Sequence, residues 1–220
     1  MLVNKNKIED FINKIHYEKT AFDVLNKIPN DSIDLIYTDP PYPRKFLYLY
    51  EGLAKIAPRI MKNHASLLTI VGHYELPEVI KYFDGKLKYR WINCMNQEEG
   101  QHPRMLMGIE VMWKPILWYV KGTFPHGKGF IRDMIKIKQP DKKYHRWQQS
   151  ESWAEYYVKR LTKEGDIILD PFCGIGTSCI VAKKLNRKFI GIDNDEKNVK
   201  IASSLLDNCE IIRYDGDHKC

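Results

Sequence analysis

The chain has 220 residues, of which 44% are hydrophobic and 29% are charged, which is typical of one globular α/β domain with a sizeable core. No apolar run approaches the length of a membrane span and the N-terminus lacks a signal-peptide core, so we expect a cytoplasmic protein. The net charge of +7 fits either a nucleic-acid partner or a lysine-rich solvated surface, and the five scattered cysteines indicate reduced thiols rather than a zinc or disulfide framework.

The first half of the chain alternates helical and extended patterns. Apolar spacing predicts helices over residues 8–15 and 21–28, and Ile33–Thr38 reads as a buried strand. Further helices are predicted at 47–61, broken near Pro58, and at 76–83, with strands at 67–71 and 88–94.

The second half continues the alternation after two irregular segments. Residues 96–108 lack apolar periodicity and are predicted as a loop before a strand at 111–120. Residues 123–144, which are rich in Gly, Lys and Pro, are predicted as a second loop with a short apolar patch at 130–137. Helices at 153–161 and 195–206 flank strands at 167–169 and 189–192, and a last strand is predicted at 210–213. Strands that alternate with helices predict an α/β fold with a doubly wound, mostly parallel sheet.

The stretch I-I-L-D-P-F-C-G-I-G-T-S is the first of two motifs that carry chemistry. A strand ends at Asp170 and Pro171, and Gly174 and Gly176 allow a tight turn that a ligand can approach closely. The next strand ends in Asp193, whose carboxylate can accept hydrogen bonds from ribose hydroxyls. Because the third glycine of the pattern G-x-G-x-x-G is absent, the unit favours a nucleoside over a dinucleotide.

The second motif, D-P-P-Y, follows the strand that ends at Thr38. Pro40 and Pro41 stiffen the backbone, so a carboxylate, a carbonyl and an aromatic ring are held together. The Asp39 carboxylate and the Pro40 carbonyl can each accept one N–H of an amino group, while Tyr42 stacks on a flat heteroaromatic ring. Accepting both hydrogens drives the nitrogen toward tetrahedral geometry and frees its lone pair for attack.

Both motifs directly follow strand ends. In an open α/β sheet, ligands bind beyond the carboxyl ends of the strands, where the strand order reverses. If the two strands are central neighbours, a nucleoside donor and an amine acceptor face each other across one crevice, as group transfer requires.

The two motifs together resemble the S-adenosylmethionine-dependent amino-methyltransferases of DNA. The acceptor motif precedes the donor motif, which is similar to the circularly permuted β class with its Rossmann-like methyltransferase fold. The segments S-I-D-L-I-Y-T, K-P-I-L-W-Y-V-K-G, H-R-W-Q-Q-S and L-N-R-K-F-I-G-I-D extend the resemblance over about residues 20 to 205.

The resemblance implies a role for each matching residue, with S-adenosylmethionine as cofactor, double-stranded DNA as partner and no metal. Thr177 and Ser178 would meet the cofactor's carboxylate and Asp193 its ribose, while Gln148, or alternatively His145 or Gln149, would close over its methionine end. The remaining residues would line the cofactor's methionine and sugar portions (Asp170, Phe172, Gly174 and Gly176) or hold a base rotated out of the duplex (Asp39, Pro40, Pro41 and Tyr42).

The first letter of the acceptor motif bears on the target base. Within the resemblance, an Asp start is more usual for the adenine 6-amino group and a Ser start for the cytosine 4-amino group, so adenine is favoured over cytosine. A catalytically inactive nucleic-acid-binding homologue is the alternative of another class.

We expect one catalytic domain over residues 1–220, with small target-recognition loops at 96–108 and 123–144. The sequence leaves open the target sequence, a homodimer, a restriction nuclease partner and an orphan role.

Overall fold

A computed structural model describes residues 7–97, 104–106, 108–124, 130–137 and 151–213. A nine-stranded sheet forms its centre. The strands are β1 (Lys14–Tyr17), β2 (Ile33–Thr38), β3 (Met61–Ile70), β4 (Lys88–Gln97), β7 (Trp113–Val120), β8 (Met134–Ile137), β9 (Ile167–Asp170), β10 (Lys188–Asp193) and β11 (Ile211–Arg213). Their order across the sheet is β11-β1-β10-β9-β2-β3-β7-β4-β8. A separate hairpin pairs β5 (Arg104–Leu106) with β6 (Ile109–Val111).

Helices cover both faces of the sheet. They are α1 (Ala21–Lys27), α2 (Leu47–Ile60), α3 (Leu76–Phe83), α4 (Glu151–Leu161), α5 (Thr177–Lys184) and α6 (Glu196–Leu205). On one face, α1, α2 and α3 bury residues such as Val24, Leu53 and Val79, and on the other α4, α5 and α6 bury residues such as Trp153 and Val181. Two apolar layers against one sheet give the three-layer α/β architecture predicted from the alternating pattern.

The strand directions confirm the doubly wound, mostly parallel sheet. Strand β7 pairs antiparallel with both β3 and β4, while the other ladders of the sheet are parallel. From β9 the chain passes to β10 on one side, and from β2 it passes to β3 on the other. The neighbours β9 and β2 are therefore the point where the strand order reverses, as the motif positions required.

The helix predicted at residues 8–15 is wrong. The segment holds a single 3₁₀ turn (Ile8–Asp10), and β1 begins at Lys14 after Asn13, which has a φ of +58°. Ile15 is fully buried and lies opposite Gly191 of β10. Pairing with β10 outweighs the weak helical spacing, since tertiary context routinely overrides local propensity.

Three further predictions need correction. Helix α2 is not broken near Pro58 but continues to Ile60, because Ala57 and Ile60 are fully buried in the core and hold the last turn in place. The segment 96–108 is not all loop: β4 extends to Gln97, and Gly108, with a φ of +77°, turns β5 into β6. Within 123–144, the apolar patch forms β8 along the edge of the sheet.

Among the described residues, no helix combines the length and the apolar character that a membrane crossing would need.

Candidate active site

The acceptor motif lies at the carboxyl end of β2. Asp39 and Tyr42 are half-buried, and the Tyr42 hydroxyl donates to the Asp39 Oδ1 atom at 2.5 Å. Burial, together with the neighbouring Asp39 charge, raises the pKa of Tyr42 well above its usual range, so the hydroxyl keeps its proton. The two side chains predicted to hold an amine and its ring therefore form one hydrogen-bonded unit.

Lys114, near the start of β7, brings a positive charge to this unit. Its Nζ atom lies 3.4 Å from the Tyr42 hydroxyl and 5.4 Å from the centre of the Tyr42 ring. Because β7 runs antiparallel to its neighbours, the first residues of β7 lie beside the carboxyl ends of the parallel strands. An ammonium group over an aromatic face is an attractive contact that orients the ring.

The Pro40 carbonyl is oriented by a second tyrosine. The hydroxyl of buried Tyr50, on α2, lies 3.0 Å from the carbonyl oxygen of Ile70 and 3.3 Å from that of Pro40. One hydroxyl proton cannot saturate both carbonyls, so the Pro40 oxygen retains acceptor capacity for an amine. Beside it, a Cβ atom added to Gly72 would lie 3.2 Å from the Tyr42 Cβ atom, so glycine leaves Tyr42 its space.

The donor motif forms a tight turn between β9 and α5. Gly174 and Gly176 have φ angles of +54° and +82°, which glycine adopts without strain. A Cβ atom added to Gly174 would meet nothing within 4 Å, whereas one on Gly176 would lie 3.1 Å from the Ala202 Cβ atom of α6. Gly174 thus borders open space that a ligand can fill, and Gly176 permits close packing of the two helices.

Asp193 closes the donor side at the end of β10. Its Oδ2 atom accepts from the Gly174 amide at 2.8 Å, and its Oδ1 atom accepts from the Asp195 amide and the Asn198 side chain. Burial raises the pKa of Asp193, and these three donors oppose that effect. A carboxylate offers about four lone-pair positions, so a position remains for a sugar hydroxyl.

Asp170 is the last residue of β9 and contacts Thr38, the residue before the acceptor motif. Its carboxylate accepts from the Thr38 hydroxyl at 2.7 Å, the Ser178 hydroxyl at 2.5 Å and the Phe172 amide at 3.2 Å. Burial raises the pKa of Asp170 to about 6 against the pull of these donors, and the Asp39 charge adds to the rise. The hydroxyl of Ser178, which is 4% exposed, is engaged inside the fold, whereas Thr177 is half-buried at the first turn of α5.

The structure thus brings the predicted acceptor and donor residues together at the carboxyl ends of the central parallel strands. Phe172 is half-buried beside the turn, Pro41 is exposed, and Gln148 lies outside the described residues. Sequence reasoning assigned no role to Thr38, Tyr50, Gly72 or Lys114, although Thr38 and Lys114 stand at the ends of two segments that carry the resemblance, S-I-D-L-I-Y-T and K-P-I-L-W-Y-V-K-G. Within the described part of the chain, no group of three His, Cys, Asp or Glu side chains could hold a metal ion.

A family model described as DNA methylase, for N6 and N4 methyltransferases, matches residues 33–204. The chain belongs to this family. It is a DNA methyltransferase of the permuted amino-methylating class, as its motifs indicated. The type II methyltransferase M2.DpnII of Streptococcus pneumoniae is 46% identical over 254 aligned positions, which cover 93% of this chain and 91% of that protein.

Solved structures of methylases share the fold. The M1.HpyAVI–SAM complex matches with a TM-score of 0.71 at 24% identity, covering 88% of this chain and 98% of that one. The cytosine-N4-specific PvuII DNA methyltransferase matches with a TM-score of 0.72 at 16% identity, covering 91% of this chain and 95% of that one. These matches confirm the Rossmann-like methyltransferase architecture.

Proposed function

We propose that the protein transfers the methyl group of S-adenosylmethionine to the 6-amino group of adenine in double-stranded DNA. The observation that carries this proposal is the adjacency of the two motifs: Asp39 follows directly on Thr38, whose hydroxyl contacts Asp170 at the start of the donor turn. Membership of the DNA methylase family supports the reaction class, and the SAM complex of M1.HpyAVI supports the cofactor.

The donor residues fit S-adenosylmethionine. Gly174 leaves space where a Cβ atom would stand, and the adjacent Asp193 carboxylate keeps a lone-pair position for a ribose hydroxyl. The amides of the first turn of α5, beginning at Thr177, suit the cofactor's carboxylate because a helix N-terminus attracts anions. When bound, the cofactor supplies a sulfonium methyl that is already activated. Gln148 stays a prediction as the residue that closes over the methionine end.

The acceptor residues orient and polarise the amine. The Asp39 carboxylate and the Pro40 carbonyl accept its two N–H groups, and Tyr42 stacks on a base that has left the duplex. With both hydrogens held, the nitrogen lone pair points away from the ring plane and toward the donor side. Alignment of the two reactants and the Asp39 charge supply the catalysis, so no general base of shifted pKa is required. The proton that the methylated nitrogen loses leaves through the Asp39 carboxylate, which already accepts that N–H group, and passes to solvent.

The choice of adenine rests on the Asp that opens the acceptor motif. Methylation of the cytosine 4-amino group is the second candidate, favoured by the fold match to the cytosine-specific PvuII enzyme. We propose a single catalytic domain that contacts DNA partly through its 96–108 and 123–144 segments, where Arg132 and Lys136 are exposed. A homodimer, a nuclease partner and a cytoplasmic location remain predictions.

The test is transfer of tritiated methyl from S-adenosylmethionine to DNA, followed by nucleoside digestion and chromatography. We expect the label in N6-methyladenine. Label in N4-methylcytosine would shift the proposal to the second candidate, and label only in RNA or protein would contradict both.

Asp39→Ala tests the acceptor role. We expect a loss of about 100-fold or more in kcat with cofactor affinity retained, because removing one preorganised charge-stabilising group costs roughly this much. Asp84→Ala is the matched control, because Asp84 is an exposed carboxylate on the side of the sheet where β4 begins. It should leave kcat and cofactor affinity unchanged. An Asp39→Ala enzyme with normal turnover would contradict the assignment.

A further inference from the structure

A single buried carboxylate collects hydrogen bonds from three segments of the chain. The Thr38 hydroxyl, at the end of β2, donates to Asp170 Oδ1 at 2.7 Å, and the Ser178 hydroxyl, in the first turn of α5, donates to Asp170 Oδ2 at 2.5 Å. The Phe172 amide of the glycine turn completes the set at 3.2 Å. Thr38 is 1% exposed and Asp170 is 6% exposed, so these bonds lie inside the fold.

The hydrogen bond between Thr38 and Asp170 lies beyond the last backbone pair of the β2–β9 ladder. The β2–β9 ladder pairs Leu35 with Ile168 and Ile36 with Leu169 and extends no further. Beyond that point no backbone pair joins the two strands, at the position where a doubly wound sheet binds its ligands. A side-chain hydrogen bond therefore continues the connection between the strands for the last residues before both motifs.

We propose that Thr38 and Asp170 are positioning residues that set the distance and angle between the acceptor motif and the donor turn. This inference rests on the proposed methyl transfer. It gives Asp170 a different role from the cofactor contact implied by the family resemblance, because Asp170, unlike the half-buried Asp193, is only 6% exposed and its three donors lie inside the fold. Asp39 is the next residue after Thr38, so the bond fixes the backbone from which the catalytic carboxylate extends.

Alignment is the quantity that such a bond controls. In-line transfer of a methyl group requires the nitrogen and the sulfonium carbon to approach along one axis. A displacement of about 1 Å at the reacting atoms can cost on the order of 100-fold in rate. A bond that served only stability would have no such effect on turnover once the protein is folded.

The experiment compares Thr38→Val with Thr38→Ser and with Thr69→Val. Thr69 lies directly opposite Thr38 on β3 and is equally buried, but its hydroxyl contacts, among the described residues, only the adjacent Ile70 carbonyl at 3.5 Å. For each protein, calorimetry gives the cofactor Kd, steady-state methylation at saturating DNA and cofactor gives kcat, and thermal unfolding gives Tm.

We expect Thr38→Val to lower kcat by about 10-fold to 100-fold while the cofactor Kd changes by less than about threefold. Thr38→Ser restores the hydroxyl and should recover most of the rate, and Thr69→Val should match the wild type. If Thr38→Val does not fold, Thr38→Ala removes the same hydroxyl without adding bulk and carries the same expectation.

Two results would overturn the inference: a kcat of Thr38→Val equal to that of Thr69→Val, or a loss explained entirely by weaker cofactor binding. A wild-type protein that binds the cofactor but methylates no DNA would instead overturn the proposed function and this inference with it. An active wild type with an unaffected Thr38→Val overturns the inference alone.

Discussion

Lys114 shows how one side chain from a distant strand completes the acceptor motif. Its ammonium group lies over the Tyr42 ring and within 3.4 Å of the hydroxyl that donates to Asp39. The two contacts fix the ring on which a base would stack.

Lys114→Met keeps the length of the side chain and removes the charge. We expect kcat/KM for DNA methylation to fall about 3-fold to 30-fold, since a cation–π contact is worth roughly 0.5–2 kcal/mol. Lys88→Met is the control, because Lys88 is exposed at the beginning of β4, away from the carboxyl ends of the parallel strands. Steady-state kinetics of both variants check the prediction, and equal losses would show a general charge effect on DNA binding instead.

The sequence indicates candidate site residues that lie within one contiguous motif. It does not indicate residues that reach the candidate site only because the strand order places their strand beside it. Asp39, Tyr42, Gly174 and Asp193 stand in patterns whose chemistry is local to a strand end. Lys114 begins the K-P-I-L-W-Y-V-K-G segment, but it is 72 residues from Tyr42, so its contact with the Tyr42 hydroxyl arises only because β7 pairs with β3.

At the scale of elements, the donor turn offers a matched pair of glycines. Gly174 has a φ of +54° and Gly85 a φ of +68°, and a Cβ atom added to either would meet no protein atom within 4 Å. Alanine at each position should therefore cost a similar backbone strain of about 1 kcal/mol. Only the Gly174 methyl group would occupy the space assigned to the cofactor.

We expect Gly174→Ala to weaken S-adenosylmethionine binding by about tenfold or more, equivalent to roughly 1.4 kcal/mol, while Gly85→Ala leaves it unchanged. Urea unfolding should give similar free energies of unfolding for the two variants. Calorimetric titration with the cofactor makes the comparison, and unchanged affinity in Gly174→Ala would place the ligand elsewhere.

Element prediction succeeded where burial and periodicity agreed and failed at the margins of the sheet. The predicted strand of β2 matches the structure because it is a continuous buried run, and α3 matches because its apolar residues lie on one face. The helix predicted at residues 8–15 was wrong because β1 forms only through its pairing with β10 and β11. Strand β8 likewise depends on its ladder with β4.

At the scale of the whole molecule, two buried groups set opposing pH dependences of stability. Burial lowers the pKa of His16 from 6.5 to about 4, although its hydrogen bond to the Phe11 carbonyl opposes the shift. Between pH 4 and 6.5 the unfolded chain binds more protons at His16, so this group makes stability rise with pH. Asp170, with its pKa raised to about 6, binds more protons in the folded state and makes stability fall as pH rises from about 4 to 6.

Asp170→Asn should therefore expose the contribution of His16. We compare the change in the free energy of unfolding from pH 4.5 to pH 6.5 in the two proteins. We expect this change to be more positive in the variant than in the wild type by about 2 kcal/mol, because the variant lacks the opposing contribution of Asp170. Urea unfolding at these two pH values checks the difference, in which groups common to both proteins cancel. Parallel pH curves would show that Asp170 has an ordinary pKa in the fold.

The central pairing of β2 with β9 also has a consequence for synthesis on the ribosome. Thr38 and Asp170 are 132 residues apart, so β2, β3, β7 and β4 all emerge before the strand that borders β2 in the finished sheet. At ordinary translation rates, the nascent chain spends on the order of ten seconds with the apolar edge of β2 unpaired. During that interval the edge is open to other chains, which makes it a natural place for a chaperone to bind.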